Sequence, residues 1–317
     1  AIVMLCLFMA AVLCPGQEPA PPEPREIPRS EDRIAVDGRL DEAAWQRALL
    51  LDLPFETEPG ENIPAPLKTA VRVFHTKDTI YFGLECFDPD PTRIRARYAE
   101  RDQIDADDLI NINLDTFNDE RRNYFLGCNP LGVQRDGIET LGGDGSWDGI
   151  WDSAGRIHEQ GYTIEIAIPF STLQFQRSAG PQVWGLDISR WYPRSQRHRL
   201  GLVRIDRSNN SYQSQFMKIR GFAGITPGRN IEVVPTLTGI NTDARADLPD
   251  GEFANASRKF DPGLTVKWGA TANLTFSGTV NPDFSQVEAD SRQLDINQPF
   301  ALFYPEKRPF FTEGADF

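Results

Sequence analysis

DDLININLDTFNDERRNYFLGCN, Asp107 to Asn129, has the pattern of two strands joined by a polar turn. Ile110, Ile112 and Leu114 alternate with Asn111, Asn113 and Asp115, the period-two pattern of a strand with one face in a core and one outside. A polar turn from Thr116 to Asn123 leads into a returning run, with Tyr124, Leu126 and Cys128 on one side and Phe125, Gly127 and Asn129 on the other. The spacing predicts an antiparallel pair with a dry face and an amide-rich face. Asn111 and Asn129 on that second face are candidate ligand-binding residues.

On its N-terminal side, TAVRVFHTKDTIYFGLECFDPDP (Thr69–Pro91) has the same hairpin grammar, with Ile80, Phe82, Leu84 and Cys86 in phase. GYTIEIAIPF (Gly161–Phe170) and VWGLDISRWYPRSQ (Val183–Gln196) supply two more half-buried strands, the latter carrying Trp191 near its end. Ahead of them, IAVDGRLDEAAWQRA (Ile34–Ala48) predicts a short strand, an Asp37-Gly38 turn and one or two helical turns capped by Asp41, with Trp45 pointing inward. Short strands at regular spacing, with hardly any helix, define an all-β chain and an antiparallel β-sandwich over residues 30–225.

Between these strands lies DGIETLGGDGSWDGIWD (Asp136–Asp152), a Gly/Asp loop that presents Trp147 and Trp151. Exposed indoles beside amides and carboxylates are a stacking platform for sugar rings, so Trp147, Trp151 and Trp191 join the candidate ligand-binding residues. The alternative is that the loop tryptophans fold back over the sandwich edge. The carboxylates of Asp88 and Asp90, and the acidic end of RYAERDQIDADD (Arg97–Asp108), are candidate calcium ligands or simply solvated turns.

The chain has 317 residues, which exceeds the usual size of one domain, and a formal net charge of -13 without a cluster of Lys and Arg, which excludes a nucleic-acid partner. Residues 1–16, AIVMLCLFMAAVLCPG, read as the apolar and cleavage regions of a secretory signal, too short to span a membrane as a helix. Neither an initiating Met nor a basic segment precedes that run, so the sequence reads as a fragment lacking its start. A lipid attachment at Cys14 is disfavoured by the bulk of Leu13 before it. Residues 17–29 form a Pro-rich linker. Of the four cysteines, Cys86 and Cys128 fall in the folded part, either as a disulfide in an oxidising compartment or as two buried thiols.

From Arg229 the pattern changes. RNIEVVPTLTGIN alternates, a loop is expected from Thr242 to Arg258, and Leu264, Val266, Trp268, Ala270, Ala272, Leu274, Phe276, Gly278 and Val280 alternate with polar or small residues around a tight turn. Ten-residue strands of this type, with an aromatic near the turn, match a transmembrane β-barrel, and a soluble sheet has the same period. Three strands cannot close a barrel, so residues 226–317 are expected to hold only the first strands of an incomplete transmembrane β-barrel.

Two resemblances rest on these segments. VDGRLDEAAW, VRVFHTKDTIYFGLECFDPDP, DDLININLDTF, GYTIEIAIPFSTL and WGLDISRW, in that order, resemble a family 9 carbohydrate-binding module. The resemblance implies a sugar-binding β-sandwich, often with structural calcium, and an oligo- or polysaccharide partner. Two departures from the family pattern stand out: Glu100–Asp105 holds no aromatic where one is expected, and Asn111 stands where an acidic residue is expected. NPDFSQVEAD (Asn281–Asp290) and FYPEKRPFFTEGADF (Phe303–Phe317) resemble the start of an uncharacterised bacterial outer-membrane barrel family. That implies export across the inner membrane, contact with outer-membrane lipid, and a periplasmic or surface-exposed sandwich.

The leading functional expectation is non-catalytic carbohydrate binding linked to glycan recognition, uptake or catabolism. The second is a transport or assembly barrel that uses the sandwich as scaffold or gate. The third is a hydrolase acting on O-glycosyl bonds through two carboxylates. His75, His158 and His198 have no metal-ligand spacing, and neither a phosphate loop nor a nucleophile elbow is present, which disfavours catalysis.

Overall fold

The computed structural model describes residues 23–139, 147–176, 180–225, 231–245, 253–271 and 274–281. The signal region with Cys6 and Cys14, residues 17–22 of the linker, part of the Gly/Asp loop and the stretch 282–317 lie outside them, while the rest of the expected linker packs on the sandwich, with Ile27 buried in its core. In chain order the strands are β1 (Arg25–Glu26), β2 (Leu49–Asp52), β3 (Phe55–Glu58), β4 (Ile63–Pro64), β5 (Thr69–His75), β6 (Thr79–Phe87), β7 (Leu109–Asp115) and β8 (Asn123–Cys128). They continue with β9 (Gln134–Glu139), β10 (Asp152–His158), β11 (Gly161–Pro169), β12 (Gln182–Pro193), β13 (Arg197–Gly201) and β14 (Met217–Phe222). A further group comprises β15 (Ile231–Arg245), β16 (Phe253–Thr271) and β17 (Leu274–Val280); a short α-helix, α1, spans Ala43–Gln46, and 3-10 turns lie at Pro91–Arg93 and Gln213–Gln215.

Two sheets face each other. One has the order β4-β3-β13-β12-β7-β8-β9, with β14 also on β12 and β1 on β14, and the other has the order β10-β11-β6-β5-β2. The hairpin of Asp107–Asn129 forms as expected: β7 and β8 pair antiparallel, with Ile112 opposite Leu126 and Asn111 opposite Gly127. Ile110, Ile112, Leu114, Tyr124, Leu126 and Cys128 enter a core shared with Val71, Val73, Phe82, Leu84 and Cys86 from β5 and β6, Ile164 and Ile166 from β11, and Trp184, Leu186 and Ile188 from β12. Because successive side chains of a strand point to opposite faces, Asp187, Ser189 and Trp191 of β12 are turned to the outer side. Cys86 and Cys128 are free, buried thiols, and burial pushes the Cys86 thiol up to about 11.

The outer faces of the two sheets differ. That of the five-stranded sheet is closed by α1, whose Trp45 meets Phe74 edge-on at 4.8 Å in a small second core. Gly83 makes room for it, since a Cβ there would lie 2.7 Å from the indole. The stretch before α1 is irregular rather than a strand, and Glu42, not Asp41, stands at the helix N-cap. The Asp37-Gly38 turn has Gly38 at φ 84°, and both backbone N–H groups donate to the Glu165 carboxylate at 2.8 and 2.7 Å. The outer face of the β12-β7-β8-β9 strands is left open.

The third sheet has the order β15-β16-β17. Its first two strands reach further than expected: Asn241 pairs with Arg258, Thr242 with Ser257 and Asp243 with Asn255, so most of the expected loop is strand. Ladder pairing carries those polar residues because both partners extend together, a signal that alternation alone does not give. Its two faces are unlike. Ile231, Val233, Leu237, Phe260, Leu264, Trp268, Phe276 and Val280 are exposed on one side, with Trp268 and Phe276 stacked at 5.7 Å. The opposite face is mostly Thr, Ser, Lys and Asp, with Val234 and Ile240 as its apolar members.

Candidate functional site

The open face of the first sheet forms a groove of about 390 Å³ lined by Asn111 and Asn113 of β7, Phe125 of β8, Arg135 and Glu139 of β9, Ser189 and Trp191 of β12, Arg199 of β13, and Tyr212. Register explains why these residues meet. Ser189 lies opposite Asn111, Asn111 opposite Gly127 and Gly127 opposite Arg135, one row across four strands. The neighbouring row is Asp187, Asn113, Phe125 and Gly137. Gly127 keeps the floor low, because a Cβ there would fall 2.3 Å from Asn111 Oδ1 and 2.5 Å from the Ile110 carbonyl oxygen.

The aromatic walls are half-buried. Trp191 carries the Arg197 and Arg199 guanidinium groups 4.3 and 5.5 Å from its ring, and Arg135 lies 5.2 Å from the ring of Phe125. Tyr212 donates its hydroxyl to Asp187 and accepts from Arg199, while Asn113 Nδ2 reaches the same hydroxyl at 3.4 Å. Burial pushes the Asp187 carboxyl up, with Arg199 opposing, and burial together with Asp187 pushes the Tyr212 phenol well above its ordinary range. The guanidinium of Arg199 loses solvation, yet Tyr212, Asp187 and Glu58 hold its charge.

Several polar atoms on this face are buried without a protein partner: Asn111 Oδ1, Ser189 Oγ, Asp187 Oδ1 and Arg199 Nε. Leaving such atoms unpaired costs roughly 1–3 kcal/mol each unless water or a ligand satisfies them. Two are acceptors, one is a donor, and the serine hydroxyl is both. Together they present the mixed donor and acceptor set that a polyhydroxylated ligand needs, beside aromatic rings suited to apolar C–H faces.

Of the five residues singled out from sequence, this groove brings together Asn111 and Trp191. The other three lie elsewhere. Trp151 is only 4% exposed, its indole Nε1 donating to Asp136 at 2.9 Å, and Trp147 is half-buried against Tyr124, ring centroids 4.9 Å apart. The expected platform of two exposed loop indoles is thus replaced by its alternative, folding back onto the sandwich, because the buried Asp136 carboxylate offers the Trp151 N–H a partner. Asn129 is fully buried: its amide donates to Arg97 O and Asp107, and its Oδ1 accepts from Leu131 and Val133, closing the turn after β8. Sequence reasoning missed Phe125, Arg135, Glu139, Asp187, Ser189, Arg199 and Tyr212. For Phe125 and Ser189 the signal was present, since they share the alternation phase of Asn111 and Trp191.

The calcium implied by the family resemblance does not fit the acidic segments singled out for it. Asp88 is engaged by Arg194 at 2.6 Å, and Asp90 Oδ1 by the Thr92 hydroxyl. Asp108 accepts from Arg95 N at 2.8 Å and Arg194 at 2.9 Å, Asp107 from Arg97 N and Asn129, and Asp105 from Arg135. Oxygen atoms whose lone pairs point at N–H groups and guanidinium cations do not present the 6–8 inward oxygens that calcium takes.

A β-sandwich whose open sheet face gathers aromatic rings and unsatisfied polar atoms is built as a carbohydrate-binding module. The chain belongs to the family described as carbohydrate family 9 binding domain-like, whose model matches residues 36–215. Residues 236–317 match a second family, described only as a domain of unknown function, DUF5916. No curated protein matches the chain. Among solved structures, it is similar to a family 9 carbohydrate-binding module from Caldicellulosiruptor kristjanssonii in complex with glucose, at 16% identity and a TM-score of 0.45, over 63% of this chain and 96% of that one. The same module with cellotriose gives 17% identity and a TM-score of 0.45, over 65% and 95%. A Bacteroides uniformis protein put forward as carbohydrate-binding gives 14% identity and a TM-score of 0.49, over 62% and 97%.

Proposed function

We propose that the groove on the β12-β7-β8-β9 face binds an oligo- or polysaccharide, with Trp191 as the stacking surface and Asn111, Ser189, Asp187 and Arg199 as hydroxyl partners. The observation that carries this reading is the set of buried, unpartnered polar atoms beside half-buried aromatics. Family membership supports the ligand class. The test is titration of the full chain with plant and bacterial oligosaccharides, followed by tryptophan fluorescence and calorimetry. Saturable binding that is lost in Trp191→Ala supports the reading, and a flat response to every glycan removes it.

A second reading, for residues 231–281, is contact with outer-membrane lipid, which gives the sandwich a periplasmic or surface-exposed position and links glycan binding to recognition or uptake. Its support is the apolar face of the third sheet. From the Ile231–Trp268–Phe276 row to the Gly239–Phe260 row are eight residue steps, about 26 Å of strand. At the usual tilt that is about 20 Å of height, near the ~25 Å apolar band of outer-membrane barrels, with aromatics at both ends as in their girdles. Among the described residues no helix is long and apolar enough to cross a membrane. Fractionation of cells making the full chain tests this: recovery in the outer membrane supports it, and recovery in the soluble periplasm argues against it.

A further inference from the structure

Three carboxylates, Asp102, Asp136 and Asp148, bring oxygen atoms within 4.8 Å of one another beside the sandwich. Arg101 bridges two of them, Asp136 and Asp148, while Asp102 accepts from the Asp136 N–H. The Arg101 Nε donates to Asp136 Oδ1 at 3.0 Å and lies 3.2 Å from Asp148 Oδ1, its Nη2 donates to Asp136 Oδ2 at 2.5 Å and to the Gly149 carbonyl at 2.8 Å, and its Nη1 donates to Gln134 Oε1 at 2.7 Å. The cation thus gathers five oxygens from β9 and the segment around Asp148. Two carboxylates, a side-chain amide and a backbone carbonyl are the ligand types that calcium uses, and waters commonly complete its shell.

We infer that the Arg101 guanidinium is a built-in cation standing where a divalent ion would otherwise be needed, so that this module folds without calcium, and that removing it opens a calcium site. The disagreement with the family expectation then has a physical basis. The planar fork of arginine always carries its charge and spans two carboxylates at once. It ties β9, and with it Arg135 and Glu139 on the groove wall, to the segment that leads into β7. Trp151 reports on the same cluster, since its indole N–H donates to Asp136 and Arg101 lies 5.9 Å from its ring.

The experiment compares the full chain with Arg101→Ala, each in a chelator and in calcium, reading the melting temperature and the tryptophan-sensitised luminescence of terbium. The wild type is expected to melt at one temperature in both media and to show no saturable terbium emission that calcium displaces. Arg101→Ala is expected to melt roughly 10 °C lower in chelator. Calcium at about 100 times its Kd then restores roughly 5–10 °C, and terbium lights up through Trp151. A wild type that melts higher in calcium, or that binds terbium in competition with calcium, overturns the proposal, as does a folded Arg101→Ala that responds to neither ion. If circular dichroism shows that Arg101→Ala does not fold, the wild-type comparison decides alone.

Discussion

At the scale of single residues, Trp191 and Glu165 carry opposite kinds of consequence. Replacing Trp191 with Ala removes a half-buried ring over the groove and is expected to weaken glycan binding about tenfold or more with the melting temperature little changed; calorimetric titration reads it. Glu165 is a matter of stability, because burial raises its carboxyl from 4.5 to about 7, against the Asp37 and Gly38 N–H groups. Between those values the folded chain holds a proton that the unfolded chain has released. Stability therefore falls as pH rises through the window, by at most about 3 kcal/mol. Glu165→Gln keeps an acceptor for the turn and should flatten this part of the profile in denaturant melts from acid to neutral pH. Burial lowers the His75 pKa, so that group acts in the opposite sense, losing stability as pH falls below 6.5, and the difference between the two proteins isolates Glu165. The groove's aromatic anchor was legible because it sits in strand phase with a dry neighbour. The roles of Trp151 and Asn129 were not, because whether a polar turn finds a buried partner depends on residues far away, here Asp136 and Arg97.

At the scale of elements, the sandwich strands legible from alternation are those with one dry face: β5 to β8, β11 and β12. Strands β9, β10 and β13 escaped notice, since QRDGIE, DSAGRIH and RHRLG are edge or near-edge segments whose pairing, not their composition, makes them strands. Two element-level tests follow from packing. Gly127→Ala places a methyl against the Ile110 carbonyl at 2.5 Å, so β7 and β8 must shift. The expected cost is roughly 1–3 kcal/mol in a denaturant melt, together with loss of glycan binding as Asn111 is displaced. Arg190, fully buried, donates to Phe87 O at 3.0 Å and Thr69 Oγ1 at 3.1 Å and lies 3.7 Å from Asp88, joining β12 to the opposite sheet. Arg190→Ala strands those partners and is expected to cost about 3–5 kcal/mol by chemical denaturation, more than the groove substitutions.

At the scale of the whole molecule, the sandwich closes one outer face with α1 and Trp45 and leaves the other open, and the proposed glycan groove lies on that open side. The third sheet keeps an apolar face that nothing among the described residues covers. If lipid covers it, Leu264→Arg near the middle of that face should cost roughly 2–4 kcal/mol and deplete the chain from the outer-membrane fraction, whereas Thr265→Arg on the polar side should be tolerated. The alternation that announced this sheet could not distinguish lipid from water, because both environments leave the same period in the sequence. The parallel pairing of β1 with β14 sets Arg25 beside Ile219 and Glu26 beside Arg220, so the chain arrives and departs along the same sheet edge. A tug between the two flanking segments pulls these strands past each other in shear. The load meets that short seam first, while the groove rows on β12, β7, β8 and β9 stay outside the direct line of tension.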